Sequence, residues 1–183
     1  MRIVAGTLKG RRLDGPTWEG LRPTSDSLRE TLFNVLGPTL GGTHFLDIFA
    51  GTGAVGIEAL SRGAVTASFV ESDLRAAKLL QKNIAHVGVD AFCTIFRDDF
   101  MKRTTRALVD GHYDVVFLDP PYDMPQIESA LERAVSMATT GGRVILEHSR
   151  RRTLPDAVAG ATRYRVLAAG DSALSFYTVN ERH

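Results

Sequence analysis

Residues 44–56 read His44-Phe45-Leu46-Asp47-Ile48-Phe49-Ala50-Gly51-Thr52-Gly53-Ala54-Val55-Gly56. An apolar run of strand length passes into a G-x-G-x-x-G loop, and the loop passes into residues at helical spacing. Strand, glycine turn and helix in that order open a βαβ unit, in which the glycines allow a tight turn and let a ligand approach the backbone.

Outward from this stretch, apolar segments rich in β-branched and aromatic residues alternate with helix-like ones. Strands are predicted over 44–48, 67–71, 91–96, 113–118 and 143–147, and helices over 55–61, 73–87, 100–108 and 126–138. Val115-Val116-Phe117-Leu118 shows no polar alternation, as a strand buried on both faces requires. Near the C-terminus, 164–167 and 174–179 flank a Gly170-Asp171 turn and read as an antiparallel hairpin. Five parallel strands and a hairpin make a doubly wound, seven-stranded, mostly parallel α/β sheet. Ahead of it, 3–5 and 12–13 read as a small hairpin around Thr7 to Gly10. Ser27 to Glu30 fits a capping box for a helix that Gly37 and Pro38 end.

Two acids beside the glycine loop define the ligand. Glu71, twenty residues after Gly51, can accept from both hydroxyls of a ribose, which suits any adenosine cofactor. Asp47 discriminates among them, because a carboxylate one turn of strand before the loop would repel a pyrophosphate. S-adenosylmethionine carries an ammonium and a sulfonium and no phosphate, so Asp47 attracts it. A loop-stabilising acid is the plainer role for Asp47. Phe49, Ala50, Gly51, Thr52 and Gly53 then form the cofactor loop. Beyond the third strand, Asp98 or Asp99 can accept from the adenine amine, with Asp99 preferred and Phe100 along the ring; a helix cap is the competing role for Asp99.

The strand at 113–118 ends in Asp119-Pro120-Pro121-Tyr122, at the sheet edge where open α/β folds bind ligands. Two prolines remove two N–H donors and leave carbonyls and the Asp119 carboxylate as an acceptor-only wall. Such a wall suits an exocyclic amine, whose ring-delocalised lone pair must be turned toward the methyl donor. Tyr122 offers a face for the base, worth about 1–3 kcal/mol by stacking.

The net charge of +1, with 44% hydrophobic and 23% charged residues, is that of an ordinary globular protein. No run of apolar residues reaches membrane-spanning length and no signal peptide opens the chain, so a cytoplasmic location is expected. Cys93 excludes an internal disulfide and reads as a buried structural thiol, and the five histidines show no metal-ligand spacing. Basic residues cluster twice, as Arg2, Lys9, Arg11 and Arg12 with no acid in the first thirteen residues, and as Arg150-Arg151-Arg152.

With these motifs in view, the chain resembles the bacterial family that methylates the N2 of a guanine in 16S ribosomal RNA, the RsmD type. The likeness rests on 2–6 with 9–13, on Leu21-Arg22-Pro23-Thr24-Ser25-Asp26 with Arg29 to Asn34, on 46–53 and on the tetrapeptide at 119–122. The stretch 22–34 is the more family-specific part. The resemblance implies a Class I methyltransferase domain over 22–183 and an RNA-binding extension over 1–21, in which Arg2, Lys9, Arg11 and Arg12 meet phosphates. It also implies that Arg22, Pro23 and Thr24 lie near the cofactor and that the small ribosomal subunit is the substrate; a monomer without metal is expected. Asp98-Asp99 departs from the family pattern and leaves the adenine contact between two acids. The tetrapeptide reads an amine and not its parent ring, so DNA adenine or cytosine, or a protein glutamine, also fits it; the N-terminal stretch argues against these. A nicotinamide-dependent oxidoreductase is disfavoured by Asp47, the terminal hairpin and the lack of a substrate domain. In a non-catalytic RNA-binding module the acceptor wall would have no purpose.

Overall fold

The computed structural model describes residues 1–21, 24–102 and 106–181. Its centre is a sheet whose first four parallel strands are β1 (His44–Ile48), β2 (Thr66–Val70), β3 (Cys93–Phe96) and β4 (Tyr113–Leu118). A long β5 (Ala138–Ser149) is followed by β6 (Ala157–Val158), β7 (Ala161–Ala169) and β8 (Ser172–Val179). The order is β3-β2-β1-β4-β5-β8-β7-β6. Parallel pairing runs from β3 to β5 and antiparallel pairing from β5 to β6. This is the expected doubly wound sheet with its hairpin, plus one strand. β6, two residues long, is too short for alternation to signal it.

The helices are α1 (Asp26–Leu36), α2 (Ala54–Ser61), α3 (Leu74–Val87), α4 (Arg106–Val109) and α5 (Ile127–Met137). Leu46, Ile48, Val116, Leu118, Val144 and Leu146 share one sheet face with α5, whose Ile127, Ala130, Leu131, Ala134 and Val135 recur at helical spacing. Phe45, Val115, Phe117 and Ile145 point the other way, against Leu28, Leu32 and Phe33 of α1 and Val55 and Ala59 of α2. Each large aliphatic side chain so buried contributes about 1.5–3 kcal/mol. Among the described residues, no helix is long and apolar enough to cross a membrane.

Local chemistry moves several boundaries. Ser25, not Ser27, caps α1, because its Oγ accepts from the Leu28 N–H at 3.1 Å. Residues 91 and 92 form a single 3₁₀ turn before β3, with Phe92 exposed. Of the helix expected over 100–108, residues 100–102 form a turn that the Asp99 carboxylate caps and 106–108 fall in α4; 103–105 lie outside the described residues. β5 starts at Ala138 and is bulged before Arg143. Cys93 stands on the edge strand, half-buried, and burial pushes its thiol up to about 12.

The N-terminal hairpin is reduced to one bridge, Arg2 with Arg12. Its fixity comes from docking. Glu58 of α2, fully buried, accepts from Val4 N–H at 2.8 Å and Ala5 N–H at 2.9 Å, and pairs with Arg62 at 3.0 Å and Arg29 at 3.9 Å. Ser61 donates to the Ala5 carbonyl at 2.5 Å and accepts from Leu8 N–H at 3.0 Å. Ile3 and Leu13 enter the core beside Ile57, Leu80 and Ile84. Gly6 has φ +82, and a β-carbon there would stand 1.8 Å from the Ser61 carbonyl oxygen. Gly6→Ala should therefore destabilise the protein by about 1–3 kcal/mol in urea unfolding and expose the first residues to protease. An unchanged midpoint would mean that the hairpin does not need this close seat.

Candidate active site

Backbone ladders deliver the site residues to one sheet edge. Asp119 N–H donates to the Ile48 carbonyl at 3.2 Å, one rung past the β1–β4 pairing, and Glu71 N–H to the Phe96 carbonyl at 3.1 Å, one rung past β2–β3. Ala50 N–H reaches the Val70 carbonyl at 3.1 Å. Between them opens a cavity of about 1270 Å³, lined by Asp47, Phe49 to Thr52, Glu71, Asp98 to Phe100 and Asp119 to Tyr122. Thr24 also lines it, and donates from Oγ1 to Asp119 Oδ2 at 3.2 Å. The structure thus brings together both predicted halves of the site.

Not every predicted cofactor and RNA contact lines the cavity with its side chain free. Gly53, with φ +78, caps α2 and faces Leu80, whose Cδ1 would lie 2.1 Å from an added β-carbon; it is not among the lining residues. Arg22 and Pro23 lie outside the described residues. Phe100 is 2% exposed, set edge-on against Phe49 with centroids 5.9 Å apart, and the Arg133 guanidinium stands 5.5 Å from its ring. It is packed more than offered. Arg2, Lys9, Arg11 and Arg12 are exposed on the docked hairpin, away from the cavity lining, and Arg11 spends one N–H on the Val87 carbonyl at 2.8 Å.

Glu71 and Asp99 already have backbone partners. Glu71 accepts from Gly51 and Asp73 N–H, both at 2.8 Å, which fixes the loop to the end of β2. Asp99 Oδ1 accepts from Met101 N–H at 3.0 Å, so the capping role is realised. Burial alone would raise the Asp99 carboxyl, but those N–H groups and the Lys102 ammonium bring it below its ordinary range. Asp98 lines the cavity beside it. Phe49, at φ +62, opens the loop in the left-handed region, a strained conformation of the kind that gathers at ligand sites.

Two residues were missed from sequence. Glu147, 5% exposed at the end of β5, accepts from the Tyr122 hydroxyl at 3.3 Å, and Ser172, the first residue of β8, also hydrogen-bonds that hydroxyl. They fix the ring of Tyr122 from behind. Glu147 has the same signal as Glu71, an acid closing an apolar strand; Ser172 has none.

Asp47 is 2% exposed and accepts from Gly56 N–H at 2.9 Å. Burial, with the nearby Glu71 charge, pushes its carboxyl up to about 8 against the opposing Gly56 bond. Because the unfolded chain sheds this proton near 3.8 and the folded one holds it to about 8, the folded state is the more protonated between those values. Stability of the ligand-free protein should fall as pH rises from about 4 to 8. In Asp47→Asn the decline should be shallower in urea titrations; equal slopes would mean that Asp47 ionises normally.

The conserved hypothetical protein 95 family matches residues 1–178. Ribosomal RNA small subunit methyltransferase D of Escherichia coli K12 is 33% identical over 183 residues, covering 97% of this chain and 89% of that protein. Its namesake in Haemophilus influenzae is 41% identical over 135 residues, 72% of this chain and 68% of the relative. Among solved structures, the Escherichia coli protein yhhF superposes with a TM-score of 0.84 at 32% identity, covering 100% of this chain and 99% of that one. An RNA methyltransferase from Salinibacter ruber, solved with S-adenosyl-L-homocysteine, shares the fold at 17% identity, with a TM-score of 0.67 over 88% of this chain and 96% of that one. The glycine loop, the acceptor tetrapeptide and the N-terminal motifs thus sit on a Class I methyltransferase fold, and the chain belongs to the conserved hypothetical protein 95 family, that of ribosomal RNA small subunit methyltransferase D.

Proposed function

We propose that the protein transfers a methyl group from S-adenosylmethionine to the exocyclic N2 of a guanine in 16S ribosomal RNA, with the assembled small subunit as substrate. The observation that carries the reading is the charge of the cavity. Its cofactor half is lined by Asp47, Glu71, Asp73, Asp98 and Asp99, and the one lysine or arginine among the described lining residues is Lys102, paired with Asp99 at 3.4 Å. Such a lining repels a pyrophosphate and attracts a cation. Of adenosine cofactors, S-adenosylmethionine fits it; a nicotinamide dinucleotide does not. When bound, S-adenosylmethionine supplies an electrophilic methyl on its sulfonium.

This chain's residues do the rest. Asp47 takes the ammonium of the amino-acid moiety, Glu71 the ribose hydroxyls, and Asp99 the adenine amine through Oδ2, since its Oδ1 holds the turn. Phe49, Ala50, Gly51 and Thr52 shape the cradle and Thr24 lines it, while Arg22 and Pro23 are cofactor contacts on the family resemblance alone. At the acceptor end, the Asp119 carboxylate, which Thr24 orients through Oδ2, and the Pro120 carbonyl accept the two N–H bonds of the guanine amine. Pro121 keeps donors out of the wall. Tyr122, held by Glu147 and Ser172, stacks on a base flipped from its RNA context. The carboxylate of Asp119 can also take the proton that the methylated nitrogen sheds.

Residues 1–21 supply phosphate contacts through Arg2, Lys9, Arg11 and Arg12, and residues 22–183 carry the transfer chemistry. Arg2 and Arg12 are exposed cross-strand partners, like charges whose repulsion an RNA phosphate relieves. The relatives' names support ribosomal RNA as the substrate class. No group of three or more histidine, cysteine or carboxylate side chains placed to hold a metal occurs among the described residues. The protein acts in the cytoplasm, where the subunit is assembled, and as a monomer, its exposed apolar side chains being scattered.

Labelled methyl transfer to small subunits lacking the modification should place label in N2-methylguanosine after RNA digestion. Label in another nucleoside, or none with cofactor bound, would reject the guanine assignment. Asp119→Ala should lower transfer at least about a hundredfold with cofactor affinity nearly unchanged; equal loss of both would make Asp119 a binding or folding residue. Arg2→Gln with Arg12→Gln should weaken subunit binding and reduce its salt dependence, and an unchanged slope would remove the hairpin from the RNA interface.

A further inference from the structure

We infer that Arg150 and Arg151 form a second phosphate-holding rim, on the acceptor side of the cavity, that grips the RNA strand next to the flipped base; the inference rests on the RNA reading above. The chain leaves β5 past Glu147, whose side chain lines the cavity and accepts from Tyr122. Three residues later it turns through Arg150, Arg151 and Arg152. The turn is fixed: Arg152 N–H donates to the Ser149 carbonyl at 2.9 Å, and Arg150 N–H to the Asp171 carbonyl at 2.8 Å. Asp171 belongs to the 169–172 turn, which lines the acceptor end and supplies Ser172 to Tyr122. The arginine backbone is therefore bonded to the wall behind the stacking ring.

The side chains themselves are not used by the fold. Arg150 and Arg151 are exposed, and among the described residues neither has a carboxylate within ion-pair distance. Several arginines nearer the core are committed: Arg163 to Asp156 and the Leu154 carbonyl, Arg143 to the Leu36 carbonyl at 2.7 Å, and Arg62 to Glu58. Adjacent guanidinium groups without an acid repel each other, and a polyanion with charges at chain spacing relieves both at once, by bidentate contact with its phosphate oxygens. The opposite rim excludes such a ligand, since Glu71, Asp73, Asp98 and Asp99 stand there. Asp119, Asp123, Glu147 and Asp171 line the Tyr122 end as well, so Arg150 and Arg151 supply the positive charge that an RNA strand meets there.

The test is Arg150→Gln with Arg151→Gln, assayed for binding and methylation of small subunits lacking the modification across a salt series. Affinity should fall roughly tenfold near physiological salt and the log–log salt slope should shrink by about 1.4–1.8, the loss of two phosphate contacts. KM for subunits should rise with kcat and S-adenosylmethionine affinity unchanged, and Lys at both positions should restore the slope. If wild type binds and methylates subunits while the Gln variant keeps its affinity and slope, the rim is overturned alone. Wild type that neither binds nor methylates them would overturn the RNA reading with it.

Discussion

The parallel pairing of β1 with β4 is the constraint on which the site depends. The chain winds from β1 to β2 and β3 on one side and returns through β4 to β5 on the other, so loops at the carboxyl ends of β1 and β4 diverge and leave a crevice between them. Register fixes what stands at its lip. With Ile48 opposite Leu118, the next residue of β4 is Asp119, tied to the Ile48 carbonyl. A slip of one residue would turn Asp119 to the other face and bury it in the core beneath α5. The apolar faces of both strands, buried on each side, forbid that slip.

Two buried acids on either side of α2 show how differently the fold treats charge. Glu58 is surrounded by two backbone N–H donors and two guanidinium groups, so its charge is matched inside the protein and serves architecture. Asp47 has one hydrogen bond and Glu71 for a neighbour, so its charge is unmatched until a cation arrives. The first acid is tied into the fold by its donors. The second is held protonated, and a cationic ligand would have to displace that proton as it binds.

Most of this was legible in the sequence because it rests on local signals. Apolar runs gave β1, β4 and the face-sharing helices, and motif chemistry placed Asp47, Glu71 and Asp119 on one edge. What escaped reading depends on contacts far apart in the chain. Ser172 meets Tyr122 fifty residues away, through strand order alone. Gly53, read as a cofactor glycine, also lets Leu80 of α3 pack closely against it, a contact between helices that periodicity does not position. The hairpin of residues 1–13 carried no sign that Glu58 and Ser61 would receive it.

That docking, with the place of β8 in the sheet, bears on the order in which the protein can fold as it is made. Residues 1–13 leave the ribosome before their seat exists and must wait until α2 and α3, through Val87, have followed. β8, which follows β5 and β7 in the chain, is inserted between them and is hydrogen-bonded on both edges. A nascent chain therefore carries an unclosed sheet until β8 emerges, and loss of that strand by nonsense mutation or proteolysis would open two ladders at once.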